Sequence, residues 1–512
     1  MKILELWISK YNNIEDITFD FNKSPLITLL VGQNGLGKSN FLEAVVFIFK
    51  HLHLTENERE LTTDLHPRFF SYSIEYICKG NHIKIEAKNS SLSIQVKKVD
   101  ENDFLDLSFS QFKKERENAY LPDFLIAYYS GENKRIKTLF SKHKINRETK
   151  LKRNIDGHPL GRFFFTDENF GELIFLMLWI FKDLEPYSKL INQVFEEFLQ
   201  IETTSKIEVS LINPDFYDKN KSLGVEYLNS SGGDYSESIW NLKGKVDSFV
   251  KLLLNNHIAH SEAIAYDEDD KEHIDFIHLN FEVLAKTIIE QYETPIAFFD
   301  VLEAANSIGI IEEIKSTINK QGARIRHNYS QLSEGEQQLL TILGLLLFTG
   351  EYDTLFLFDE PDTHLNPKWQ RDFPELLDDF NIDNQNSQIL VATHSPLIVQ
   401  SSDKADTFLF NKIEDKIVVD QNPHHIKNWR IDQVLQSEYF KIKNVRPTSL
   451  DDFMRKREAI LNKEIVTPED IELLKEIDSE QEVLPTGETI SDFETLHLLK
   501  QIISKASMDD KD

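Results

Sequence analysis

Hydrophobic residues in this chain fall either into short unbroken runs or into strict alternations. Residues 25–31 (Pro-Leu-Ile-Thr-Leu-Leu-Val), 124–129, 354–358 (Thr-Leu-Phe-Leu-Phe) and 388–392 are apolar and rich in β-branched or aromatic side chains. Such runs predict strands of a parallel sheet buried on both faces. Residues 70–97 alternate apolar and polar positions instead, as antiparallel strands with one covered face do. Residues 40–50 and 337–347 read as helices. The long stretch 133–320 predicts an apolar helix at 170–182, an amphipathic one around 186–200, a strand at 205–212, and helices around 238–256 and 279–320. No heptad persists through several turns, so no long coiled-coil arm is expected, and there is no internal repeat. The expected fold class is α/β, with a mixed or parallel sheet flanked by helices and an antiparallel β part. Residues 1–132 and 321–445 would form the two halves of this head. Residues 133–320 would be a mainly helical insertion. Residues 446–512 would be a charged helical tail, broken at Pro468 and Pro485, and a candidate for partner docking.

Candidate chemistry sits where the apolar runs end. The first run leads into Gly32-Gln33-Asn34-Gly35-Leu36-Gly37-Lys38-Ser39, then Asn40. This fits the phosphate-loop pattern G-x-x-x-x-G-K-[ST] at every fixed position. Glycines let successive backbone N–H groups face a phosphate, Lys38 adds a point charge, and Ser39 offers a hydroxyl to Mg²⁺. The run at 354–358 delivers Asp359 and Glu360 to its C-terminal edge, where open α/β sheets bind ligands. Asp359 would hold the shell of a Mg²⁺ ion, and Glu360 would polarise an attacking water. A surface acid pair ending a strand is the plainer reading, but the apolar run before the pair and Pro361 after it speak against that. The run at 388–392 leads to Thr393-His394-Ser395-Pro396. His394 thus lies one βα unit beyond the acids, although a lone histidine is usually structural. Finally, Leu332-Ser333-Glu334-Gly335-Glu336-Gln337-Gln338 can open a helix whose N-terminus points at a phosphate.

These four motifs, in this order, resemble the nucleotide-binding heads of the ABC/SMC ATPase superfamily over about 1–132 and 321–410. The resemblance implies an ABC-type P-loop head that uses ATP and Mg²⁺. It makes Lys38, Glu360 and His394 catalytic, with His394 as the switch histidine sensing the γ-phosphate. It makes Ser39 and Asp359 metal ligands. It assigns Ser333, Gly335 and Glu336 to the γ-phosphate of a partner's nucleotide, hence a head-to-tail homodimer or higher homo-oligomer. Two positions depart from the general pattern. Asn366-Pro367 replaces the usual D-loop acid, which is familiar among RecF/OLD-like ATPases. No glutamine follows the strand at 124–129, so Ser130 or Glu132 would have to serve as the Q-loop residue. Residues 429–435 (Trp-Arg-Ile-Asp-Gln-Val-Leu), Ser437-Glu438-Tyr439-Phe440 and residues 128–133 resemble, more narrowly, the PtuA-like ATPase subunit of Septu-type and retron-associated antiphage systems.

Composition narrows the remaining possibilities. The chain has 512 residues and a net charge of −29, which argues against coating nucleic acid over its whole surface. One stretch, 134–153, stands against that background. It carries Lys134, Arg135, Lys137, Lys142, Lys144, Arg147, Lys150, Lys152 and Arg153 with Glu148 as its single acid. It is either a DNA or RNA contact or a solvated loop. The lone Cys78 excludes disulfide staples and cysteine metal sites. No apolar run approaches the ~18–20 residues that a membrane span needs. The first residues run straight into a strand without a secretory signal, so a cytoplasmic protein is expected.

The chain carries no nuclease pattern of its own. No Asp-x-Asp pair follows a strand after His394, and His424-His425 with Asn428 lacks the rest of an HNH unit. Two functional classes follow from the resemblance. One is the ATPase subunit of an antiphage complex, regulating a separate HNH-type nuclease and associated with a reverse transcriptase–nucleic acid component. The other is a RecF-like repair clamp without a nuclease partner. A transporter ATPase ranks third, because the insertion is too large.

Overall fold

The computed structural model describes residues 1–22, 26–58, 70–88, 91–130, 135–152, 163–166, 169–218, 220–230, 235–256, 271–276, 281–322, 327–380 and 387–421, with parts of 423–479. Residues 131–134, Arg153, the His424-His425 pair, Asn428, Pro485 and most of the tail lie outside the described residues.

Two sheets build the head. The first is antiparallel, with strand order β2-β1-β4-β5-β6-β7. It comprises β1 (Lys2–Tyr11), β2 (Ile14–Asp20), β4 (Tyr72–Cys78), β5 (Asn81–Lys88), β6 (Ser91–Lys98) and β7 (Leu105–Asp106). Every second residue of β4 and β5 is buried, as the alternation at 70–97 predicts. The second sheet has seven strands in the order β16-β15-β3-β14-β13-β8-β9. These are β3 (Ile27–Gly32), β8 (Phe124–Tyr129), β9 (Phe163–Thr166), β13 (Thr354–Asp359), β14 (Ser387–Thr393), β15 (Asp406–Ile413) and β16 (Lys416–Asp420). Its central strands are parallel, and all residues of β3, β13 and β14 are buried. Continuous apolar runs are what burial on both faces requires.

The Lys38–Leu54 helix lies in the core between the two sheets. Phe41, Val45, Ile48 and Phe49 on it share one buried cluster with Ile74, Tyr76 and Ile85 of the first sheet and Leu30, Leu125, Leu357 and Leu390 of the second. This helix is apolar almost all round, as a helix covered on both sides must be.

The stretch 133–320 differs from its sequence reading in three ways. Residues 311–320 are a strand, not part of a helix. In this region β12 (Ile311–Lys320), β10 (Ile201–Ile212) and β11 (His273–Phe276) form a separate antiparallel sheet, ordered β11-β10-β12. Ile311, Ile314 and Ile318 also fit a helical i, i+3, i+7 spacing, which is why the pattern misleads. Gly309 (φ +75°), just beyond the Pro295–Ser307 helix, turns the chain in the left-handed region, and pairing with β10 then fixes an extended backbone. Second, β9 pairs in parallel with β8, so part of this stretch extends the head sheet. Third, the basic stretch is a helix, Arg135–Lys152, with Ile136, Leu139, Phe140, His143 and Arg147 buried. A solvated loop it is not.

The Asn169–Phe181 helix packs on the Glu334–Thr349 helix at close quarters. A Cβ on Gly344 would stand 2.2 Å from Ile174 Cγ2. The chain divides into two compact units, 1–429 and 430–512. Within the second, the Pro468–Ser479 helix starts at Thr467, whose hydroxyl accepts from Asp470 N at 3.2 Å. Among the described residues, no helix is long and apolar enough to cross a membrane.

Candidate functional site: a phosphate loop facing paired acids

The phosphate loop connects β3 to the Lys38–Leu54 helix. Gly32 (φ +149°) passes so close to β15 that a Cβ there would stand 2.6 Å from the Phe410 carbonyl oxygen. Gly37 (φ +104°) caps the helix, and a Cβ there would meet Asn13 Oδ1 at 2.9 Å. Side chains are excluded at both positions, so the loop keeps the tight curl that turns its N–H groups inward. Asn13, in the β1–β2 turn, donates to the Gly35 carbonyl at 2.7 Å and accepts from Asn40 Nδ2 at 2.6 Å. No sequence signal marks Asn13, because its role depends on two sheets meeting.

Lys38 is buried and donates to the carbonyls of Gly32 (2.8 Å) and Gln33 (3.2 Å). Burial pulls its ammonium down to about 8, against the opposing pull of the negative Glu360, Asp359 and Asp362. From the other side of the site, Ser39 Oγ donates to Asp359 Oδ1 at 3.0 Å. Burial pushes the Asp359 carboxyl up to about 7, and the neighbouring Glu360 adds to the rise, while Ser39 and Lys38 oppose it. The parallel register β8-β13-β14-β3 is what brings these groups to one sheet edge, since Asp359 stands beside Tyr129 and Ala392.

Glu360 adopts a left-handed backbone (φ +52°), uncommon for a residue with a side chain. The surroundings over-determine it. Its N–H donates to the Ala392 carbonyl at 2.8 Å, and its own carbonyl accepts from Ser130 Oγ at 2.6 Å and Thr363 Oγ1 at 3.0 Å. Strain held this way aims the side chain. Glu360 Oε1 lies 3.4 Å from His394 Nε2. Burial, with the positive charge of Lys38, lowers the His394 imidazole to about 4, so it is neutral at physiological pH. Ser130 thus touches the acid pair's backbone from the position where a Q-loop glutamine was expected. Glu132 lies outside the described residues.

The histidine turn is held by its own flanking Thr393 and Ser395 and by two residues that motif reading passed over, Asp362 and Gln370. Thr393 Oγ1 donates to buried Asp362 Oδ1 at 2.8 Å and accepts from Ser395 N at 2.9 Å. Ser395 Oγ donates to Gln370 Oε1 at 2.8 Å, and Gln370 Nε2 donates to the carbonyls of Asp362 and Leu365. Asp362 lies in the same acidic run as Asp359, and that adjacency was the one available hint.

Ser333 caps the Glu334–Thr349 helix. Its hydroxyl accepts from Glu336 N, and the Glu336 carboxylate accepts from Ser333 N at 2.9 Å, a complete capping box. Gly335 packs on the D-loop, where a Cβ would stand 2.4 Å from the His364 carbonyl. Gln33 and Asn34 stay with the phosphate loop. The hydrogen bonds of Ser333 and Glu336 stay within the cap and reach Lys320, none touching the phosphate loop; Ser333 and Glu334 face solvent.

Phosphates and Mg²⁺ fit the residues present. A buried ammonium bonded to backbone carbonyls feels three carboxylates, Asp359, Glu360 and Asp362, so acidic groups outnumber the cation here. Among the described residues no cluster of three His, Cys, Asp or Glu could cage a metal. One carboxylate plus one hydroxyl is instead the partial donor set that Mg²⁺ takes when phosphates complete its shell.

A protein-family profile described as "AAA domain, putative AbiEii toxin, Type IV TA system" matches residues 191–400. That span holds Ser333, Asp359, Glu360 and His394. The chain is 22% identical over 441 residues to the "Retron Ec83 probable ATPase" of Escherichia coli, covering 80% of this chain and 71% of that protein. It is 22% identical to the "Retron Vc95 probable ATPase" of Vibrio cholerae, covering 76% and 69%. It is 24% identical to the "DNA replication and repair protein RecF" of Streptococcus uberis, covering 52% and 58%. Among solved structures, the SMC head domain from Thermotoga maritima aligns with a TM-score of 0.33 at 11% identity, covering 83% of this chain and all (100%) of that one. The site geometry and the sequence matches point the same way: the chain carries a P-loop ATPase arrangement and is similar to an AAA domain over 191–400 and to the retron and RecF ATPases.

Proposed function

We propose that this chain hydrolyses ATP in composite sites formed by two copies packed head to tail, and that it regulates a separate HNH-type nuclease in an antiphage complex. The observation that carries the composite site is the solvent-facing cap at Ser333. A finished helix N-terminus, preorganised by Glu336, exposed, and with no hydrogen bond to its own phosphate loop, suits a phosphate supplied by another subunit.

In this reading the phosphate loop cradles the triphosphate, with Lys38 on the β- and γ-phosphates. Ser39 and Asp359 would hold Mg²⁺, which would neutralise charge developing on the transferred phosphoryl group. Glu360, aimed by its pinned backbone, orients the attacking water. His394, a neutral imidazole beside it, bonds the γ-phosphate and reports its loss. The retron-type assignment is supported by the names of the two retron relatives, and the PtuA-like or Septu-type one by the segments at 128–133 and 429–440. A cytoplasmic location goes with it.

The test is purification of the native complex with ATP present. An HNH-type subunit in stoichiometric amount supports the reading. A chain that purifies alone, without any nuclease subunit, supports instead a RecF-like clamp, the reading favoured by the RecF match.

A further inference from the structure

We propose that the solvent-facing side of the Arg135–Lys152 helix is a docking surface for the phosphodiester backbone of a nucleic acid, and that Arg135 links its occupation to the phosphate loop. The linkage, though not the docking, rests on the ATPase reading above.

The helix is anchored on one side and cationic on the other. Ile136, Leu139, Phe140 and His143 are buried, and Arg147 is locked by Asp300 (2.6 Å) and Glu303 (2.8 Å), with Lys245 also on Asp300. The helix therefore presents its lysines from a fixed backbone. Lys142, Lys144, Lys150 and Lys152 are exposed and make no ion pair among the described residues. Lys50 of the Lys38–Leu54 helix and Lys142 both bear electrostatically on His143, and Lys152 lines one cavity with Lys243 and Lys245.

The chemistry of this surface selects its partner. Its exposed residues include no aromatic ring on which a base could stack, so it suits backbone phosphates and sequence-independent binding. Ile145 is its single exposed large apolar side chain, too little to enter a lipid surface.

A path leads from this surface to the nucleotide site. Arg135 donates to Asn40 Oδ1 at 2.6 Å and to buried Glu43 at 3.0 Å. Asn40 donates to Asn13, which holds the Gly35 carbonyl. Three hydrogen bonds therefore join the first residue of the basic helix to the phosphate loop.

The experiment uses the full chain and fluorescent DNA duplexes, single-stranded DNA and RNA of random sequence, titrated over a salt series without nucleotide. Wild type should bind at least one of them at low salt. K142E/K144E/K150E/K152E should lose about tenfold or more in affinity, and each lost phosphate contact should flatten the log–log salt slope by about 0.7–0.9. The same four positions changed to Gln should give an intermediate loss, with circular dichroism and basal ATP turnover unchanged. No binding by wild type, equal binding by the Glu variant, or capture by phosphatidylserine vesicles but not by oligonucleotides overturns the docking surface. Arg135→Ala should retain oligonucleotide affinity while the oligonucleotide-induced change in ATP turnover disappears; if that change persists, the linkage is wrong. Absence of any ATP turnover in wild type would count against the ATPase reading and leave the binding result standing.

Discussion

Ser39 Oγ donates to Asp359 Oδ1 across 3.0 Å, although 320 residues separate the two along the chain. That hydrogen bond closes the phosphate loop against the acid pair and marks where a Mg²⁺ ion would be shared.

The two adjacent acids should fail differently. Glu360→Gln keeps shape and removes the carboxylate proposed to orient water, so turnover should fall by ~10²–10⁴-fold while ATP stays bound. ATP-dependent dimers should then accumulate, as read by light scattering. Asp359→Asn should instead raise the Mg²⁺ concentration needed for half-maximal activity. Matching behaviour of the two variants would contradict separate roles.

Ser333→Arg places a long cation at a cap that faces solvent in the single chain. Nucleotide binding at Lys38 should persist in a filter or fluorescence assay while hydrolysis is lost. Hydrolysis at the wild-type rate would sink the shared site.

Gly344 and Ile174 should behave as one packing unit. Gly344→Ala forces its new methyl against a fully buried isoleucine and should cost ~1–3 kcal/mol in denaturant unfolding. Ile174→Ala alone should cost ~2–5 kcal/mol through the cavity it leaves. Combined, the two changes should cost less than their sum, because each relieves the other. Strict additivity would place the steric contact elsewhere.

Stability should fall as pH drops from about 6.5. His143 shares a hydrogen bond through Nε2 with His53 Nδ1 at 2.9 Å and stacks on Phe163, while its Nδ1 has no hydrogen-bond partner among the described residues. Burial, with the positive charges around it, holds its imidazole down at about 2. Below its unfolded pKa the unfolded chain takes up a proton that the folded chain refuses, so the stability present above ~6.5 is lost progressively on acidification. Urea midpoints at pH 7.5 and 5 should show this loss in wild type, and a smaller loss in His143→Gln. An equal loss in both would assign the acid sensitivity to other groups.

The sequence by itself determined the parts of this protein in which chemistry is local. The loop at 32–39, the acids at 359–360 and the cap at 333–336 each need particular residues at fixed short spacing, so they are readable without a fold. The buried parallel strands were equally legible, since burial on both faces demands unbroken apolar runs. Tertiary structure decided what depends on distant neighbours. Whether 311–320 became helix or strand turned on pairing with β10, because its isoleucines satisfy both periods. Whether 135–152 was loop or helix turned on what covers one side of it, where Asp300 and Glu303 take Arg147 into the interior alongside buried Ile136, Leu139 and Phe140. Asn13, Ser130 and the Asp362–Thr393 pair acquire their roles only where separate strands end side by side, a proximity that sequence spacing does not encode.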